Sequence, residues 1–193
     1  MAHPKTLWAS ALFPGLLSAC AIAPVEPPAA PLPPPAPQQR AARVASPVVQ
    51  PLPPQADFVL VDKSDRLLVV FGQGREMRRY TGLQFGDAPL GHKRFEGDER
   101  TPEGRYTIDY RNPRSSYHLS LHISYPDASD SDYARARGRS PGGAIFIHGQ
   151  PNRLAEGYRV EGDWTDGCIA LSNAEIEELW ALVPDGTPIV IRP

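Results

Sequence analysis

Cysteine is almost absent from this chain: 193 residues contain two, Cys20 and Cys168. So few cannot build a disulfide framework, and the fold must stand on its own core. An excess of basic charge is also missing. The formal net charge is −2, and residues 57–193 carry 17 Lys+Arg against 21 Asp+Glu. That balance excludes the electrostatic footprint of a nucleic-acid-binding domain. The one basic cluster, Arg135, Arg137 and Arg139, reads as a solvated loop, with a lesser reading in which it grips anionic carboxylates. A long apolar run is lacking as well. The run from Leu7 to Ala19, interrupted by Pro14, is too short to span a bilayer permanently.

What is there divides the chain into three. Residues 1–19, with Lys5 ahead of that apolar run, read as a signal peptide. The run ends in Leu17-Ser18-Ala19-Cys20, which resembles a bacterial lipobox. The resemblance implies cleavage before Cys20 and lipidation of its sulfur, an anchor that holds to a membrane without crossing it. Ala21 follows where an aspartate would signal inner-membrane retention, so the expected location is the cell envelope, facing the periplasm from the outer membrane. An ordinary secretory signal with an incidental cysteine is the other reading. Residues 20–56 form a Pro-rich tether, since 24–56 hold 12 of the 23 prolines. Such a stretch lacks amide donors and apolar periodicity, and at about 3.1 Å per residue it reaches roughly 100 Å in polyproline II form. Residues 57–193 are enough for one core.

Within that domain, short β-rich runs dominate: 58–61, 67–71, 105–110, 144–147 and 189–191. Lys63-Ser64-Asp65 makes a hairpin turn between the first two. In 118–124 the pattern alternates, with His118, Ser120, His122 and Ser124 on one face and Leu119, Leu121 and Ile123 on the other. One helix is expected: Ser172 with Glu175 has capping-box spacing, and Ile176, Leu179, Trp180 and Val183 form its apolar stripe. Segments 111–117 and 126–143 read as loops. The expected fold is mainly β, a sandwich with one helix in the C-terminal region.

The chemistry concentrates on His148-Gly149 and, 20 residues after the histidine, Cys168. Histidine is the side chain suited to act as a base near neutral pH, and cysteine is the strongest nucleophile among side chains. Ile145-Phe146-Ile147 delivers His148 at a strand end. Gly167 before the cysteine lets a substrate carbonyl approach closely, with the amides of Gly167 and Cys168 as oxyanion donors. A free thiol titrates near about 8.5, so an active-site role predicts a Cys168 pKa well below that. The bland alternative makes Cys168 a small core residue and His148 a satisfied strand-end histidine.

Three blocks of sequence then resemble the L,D-transpeptidase catalytic-domain family, also called YkuD. They are Gly86 to Tyr106 with Gly97-Asp98-Glu99-Arg100-Thr101-Pro102-Glu103-Gly104; Tyr117 to Leu121 with Ile123-Ser124-Tyr125-Pro126; and Gly142 to Gly149, closing with Thr165-Asp166-Gly167-Cys168. The resemblance covers about residues 58–192 and implies a YkuD-type β-sandwich. It implies that Cys168 attacks a peptide carbonyl of a peptidoglycan stem to form a thioester, with His148 as base and the Gly149 carbonyl orienting the imidazole. The donor is typically a tetrapeptide, cut between its third-position diamino acid and terminal D-alanine. No metal or organic cofactor is implied.

Two departures stand out. Where many members have histidine before the Gly-Cys pair, this chain has Asp166; where many have arginine two residues after the cysteine, it has Ala170. Asp166 either polarises His148, binds an ammonium group or shapes the turn. Alanine at the second position resembles a branch that hydrolyses envelope protein–peptidoglycan amides, so an amidase acting on a wall-linked lipoprotein stands beside transpeptidation. Thr165, Asp166, Gly167 and His118 are the expected substrate and oxyanion contacts. A silent wall-binding lipoprotein and a metal hydrolase built on His118 and His122 are the readings from other classes.

Overall fold

The computed structural model describes residues 55–193; Cys20, the signal segment and nearly all of the Pro-rich tether lie outside the described residues. Eight strands form one sheet: β1 (Phe58–Asp62), β2 (Leu67–Gly72), β3 (Arg75–Thr81), β4 (Gly104–Asn112), β5 (Ser120–Ile123), β6 (Ile145–His148), β7 (Ile169–Ala170) and β8 (Thr187–Arg192). Their spatial order is β3-β2-β1-β8-β4-β5-β6-β7. The pairings are antiparallel except β1–β8 and β6–β7.

The two ends of that order are brought together. Beyond β3, Gln84 exchanges two backbone hydrogen bonds with Ala170 of β7, at 3.1 and 2.8 Å. The sheet therefore curls over itself, and residues from both halves share one core: Val59, Val61, Leu68 and Val70 with Leu121, Ile123, Ile145, Ile147 and Ile169. This is the mainly β architecture the sequence suggests. Strand β3 escapes the apolar pattern because it is an edge: Arg75, Glu76, Arg78 and Arg79 face solvent and discourage pairing with another chain.

The expected helix is α2 (Asn173–Leu182), which buries Ile176 and Leu179 and starts on the predicted Ser172–Glu175 capping box. A second helix, α1 (Ala128–Arg135), corrects the reading of 126–143 as loop. Its signal is a polar capping box in which Asp127 accepts from the Asp130 amide and Asp130 accepts from the Asp127 amide. Too short and polar for an apolar stripe, α1 is anchored by Asp130, which takes His92 Nε2 at 2.8 Å and the Tyr106 hydroxyl at 3.0 Å.

Because Leu179 has no solvent exposure, Leu179→Ala should cost about 2–5 kcal/mol, and Ser172→Ala only about 1 kcal/mol. Urea unfolding of the full chain checks both; comparable losses would contradict a core role for α2.

Candidate active site

Strand β6 brings two residues of the third motif into register with β7: Ile147 faces Ile169 and His148 faces Ala170. Side chains alternate along a strand, so Phe146 and His148 share one face, and Cys168, one step before β7, falls opposite Phe146 on that face. The Phe146 amide donates to Cys168 Sγ at 3.4 Å, and the thiol donates to the Ala144 carbonyl at 3.6 Å. Ala144 holds a left-handed backbone, φ 53°, which disfavours a side chain and turns that carbonyl towards the sulfur. The resting thiol thus rests on Ala144, on the sheet face that carries the imidazole.

His148 is 3% exposed, and its Nδ1 lies 2.7 Å from the Gly149 carbonyl. A carbonyl only accepts, so Nδ1 carries the proton and Nε2 of the neutral ring is left as acceptor. Tyr117 stacks on the imidazole at 4.6 Å, and Trp164 meets it edge-on at 5.5 Å. Gly149 has no room for a side chain: a Cβ there would stand 2.7 Å from Asn173 Oδ1 and 3.0 Å from His118 Cβ.

The cysteine loop rests on the first motif. A Cβ on Gly167, whose φ is +125°, would stand 2.5 Å from the Arg100 carbonyl, and one on Gly86 would stand 2.0 Å from that of Glu99. Asp98 ties the supporting segment together, accepting from the amides of Arg94, Phe95 and Arg100 and from Lys93 Nζ. Burial alone would raise its carboxyl, but these donors outweigh burial and hold it below its ordinary value. Buried Lys63 clamps the same segment through the Gly91 and Thr101 carbonyls and Glu103. Asp98, Thr101 and Glu103 sit in this supporting segment, away from the reacting atoms.

Thr165 is placed as a brace. Its hydroxyl accepts from the Gly167 amide at 3.2 Å and donates to the Cys168 carbonyl at 2.8 Å. The Gly167 N–H, expected to donate to an oxyanion, donates here within its own loop. His118 also departs from expectation. With φ 65° it stands outside β5, and its ring pairs with Glu177 of α2 at 2.6 Å rather than facing the thiol. His122 pairs with Asp109, so the two histidines serve separate carboxylates.

A cavity of about 1030 Å³ opens over Cys168 and His148. Trp164, Asp166 and Ser120 line it, and so do Lys93, Glu96 and Arg153, whose place there no local sequence signal announces. Tyr117 lay inside the second motif without a role. Tyr158 stands in solvent. The basic cluster does not reach the cavity: Arg135 pairs with Asp132, Arg137 lies over Tyr133 at 3.5 Å and Arg139 over Phe95 at 3.8 Å.

Burial pushes the Cys168 thiol up, to about 11, against the Phe146 amide that lowers it. Burial also lowers His148, opposed by Gly149. Both displacements run against the expected depressed thiol and favour a neutral thiol with a neutral imidazole. Alkylation by iodoacetamide, read at the Cys168 peptide, should keep accelerating past about pH 9 in the folded chain and level near about 8.5 in urea. A plateau below neutrality in the folded chain would overturn the neutral pair.

Comparison with known proteins identifies the family of the domain. YafK of Escherichia coli strain K12 is 31% identical over 96 residues, 49% of this chain and 32% of that protein. The helical cell shape determining protein Pgp2 of Campylobacter jejuni superposes with a TM-score of 0.58 at 30% identity, covering 71% of this chain and 47% of Pgp2. Bd1075 of Bdellovibrio bacteriovorus gives 0.50 at 27% identity, covering 72% and 48%. The chain spans less than half the length of each of these relatives. The family model of the L,D-transpeptidase catalytic domain, YkuD, matches residues 56–191, nearly all of the described residues. The chain belongs to the YkuD family of L,D-transpeptidase catalytic domains.

Proposed function

We propose that this protein is a cysteine-dependent L,D-transpeptidase acting on peptidoglycan stem peptides through a Cys168 thioester. The observation that carries the proposal is the unprotonated Nε2 of a buried, aromatic-walled His148 on the same sheet face as the Cys168 thiol. As a donor carbonyl enters, the thiol turns from Ala144 to His148, whose Nε2 takes the Sγ proton while sulfur bonds to the carbonyl carbon. The Cys168 amide steadies the developing oxyanion. Collapse breaks the C–N bond, the imidazolium returns its proton to the leaving amine, and a thioester remains. An acceptor amine then repeats the sequence in reverse, losing its proton to His148 and restoring the thiol. Concerted proton transfer suits a neutral pair, because no standing thiolate is required.

A second reading rests on Ala170. It is fully buried in β7 and offers a substrate no charged group, and water as acceptor would make the enzyme an amidase on stem or lipoprotein–peptidoglycan links. Envelope attachment through lipid on Cys20, at the periplasmic face of the outer membrane, completes the proposal. It is motivated by Leu17-Ser18-Ala19-Cys20 and the Pro-rich stretch behind it.

Mass spectrometry of the full chain with disaccharide-tetrapeptide and protein-linked stems tests the reaction. A transient Cys168 adduct with a cross-linked dimer is the expected result, and Cys168→Ala should lose both. His148→Gln should slow turnover about 10²–10⁴-fold. Cleavage of protein-linked stems without dimer would favour the amidase, and turnover by Cys168→Ala would overturn the mechanism. For the anchor, Cys20→Ser should move the chain from the membrane fraction to the soluble one; unchanged fractionation would refute lipidation there.

A further inference from the structure

The cavity is electrostatically lopsided along β6. At the N-terminal end of the strand, Glu96 and Gly97 line it together with Gly142 and Gly143. Gly142 lies against the Glu96 backbone, 3.2 Å from a Cβ built on the glycine, and the Glu96 amide donates to the Ser140 carbonyl. Asp166, beside the cysteine, adds a second carboxylate to the lining. Beyond the C-terminal end, the register Asn112↔Ser120↔His148 brings Asn112 and the 115–117 turn to the imidazole's side. Arg153 lines the cavity there, with Ser115, Ser116 and Pro151.

Arg153 is well placed and unspent. Its neighbour Asn152 is clamped to the turn in three ways: its amide donates to the Ser116 carbonyl at 3.0 Å, its side chain donates to the Ser115 carbonyl at 2.9 Å, and it accepts from the His118 amide at 2.7 Å. Among the described residues Arg153 has no ion pair. The other cation of the lining, Lys93, is already held by Asp98. Arg153 is therefore the cation of this lining free to meet a ligand.

The direction of the reaction says which ligand group that is. The imidazole that takes the thiol proton must return it to the leaving nitrogen, so the leaving fragment lies on the His148 side of Sγ, towards Arg153. The acyl fragment lies towards Glu96 and Asp166. Resting on the acyl-transfer reading above, we propose that Arg153 determines specificity by binding a free terminal carboxylate on the leaving fragment of the donor peptide. A guanidinium suits this task, since its planar fork matches a carboxylate with two parallel hydrogen bonds.

Binding to the full-length Cys168→Ala protein tests the assignment without any turnover. The probes are a stem tetrapeptide ending in D-alanine and the same peptide as its C-terminal carboxamide, compared by calorimetry. The acid should bind roughly 10- to 100-fold tighter than the carboxamide, as expected for a charge-assisted pair. Adding Arg153→Gln should erase that preference by weakening the acid alone, and Arg153→Lys should restore part of it. Arg114→Gln, which removes a charge from the adjoining loop outside the cavity lining, should leave the preference intact. Equal binding of acid and carboxamide, no binding of either, or a preference that survives Arg153→Gln would overturn the role of Arg153. Turnover by the unmodified protein is read separately, so a failure of the acyl-transfer reading remains distinguishable from a failure of this one.

Discussion

Two residues of parallel pairing, Ile147 with Ile169 and His148 with Ala170, decide where the sulfur stands relative to the imidazole. Side chains alternate with period two, so a slip of one residue would turn the thiol to the opposite face of the sheet. A strand this short cannot hold its own register. Gln84 pairs with β7 along its other edge, and the Leu171 amide donates to the His148 carbonyl at 2.9 Å. Below it, two glycines let the backbone of Glu99 and Arg100 come closer than any side chain would permit. The first sequence motif is thereby explained as a foundation: its glycines, Asp98 and the buried Lys63 contact set the height of the cysteine loop, although none takes part in bond making.

Much of this was legible in the amino-acid order, for reasons that differ by element. Strands β1, β2, β6 and β8 run through the core, so burial wrote an apolar pattern into them. Strand β3 faces solvent and carries charge, and β7 is only two residues long, so neither leaves such a trace. Helix α1 depends on an acidic capping box that reads locally as loop composition. At the site, Cys168, His148 and Gly149 stood out because their chemistry and spacing are local. Thr165 braces its own loop through hydroxyl contacts that residue type does not announce, Gly167 is set by the distant Arg100 carbonyl, and Arg153 reaches the cavity on a loop that Asn152 fastens to the turn after β4. His118 was misplaced for a sharper reason: a single positive φ takes it off the strand whose alternation it seemed to share by spacing. The arginines 137 and 139 are occupied by Tyr133 and Phe95, a pairing across loops that spacing does not announce.

Burial also sets the charge state of the centre. The imidazole, walled by Tyr117 and Trp164, cannot readily gain a proton, and the thiol cannot readily lose one. Opposite displacements of the two groups favour the uncharged pair over thiolate–imidazolium. On the proposed mechanism, reactivity then belongs to the encounter with a carbonyl, where proton and carbon move together, rather than to a standing anion.

The Ala144 carbonyl gives this arrangement its durability. By accepting the S–H at a strained backbone position, it keeps the sulfur in its least oxidisable form between encounters. It is the thiolate that attacks peroxides and stray disulfides, so a sulfur kept protonated on a carbonyl is slow to enter the path towards sulfenic acid or a mixed disulfide. Among the described residues Cys168 has no second cysteine beside it to resolve such damage. Its working life therefore depends on how seldom the nucleophile is exposed as an anion, and the fold protects it by withholding charge rather than by repair.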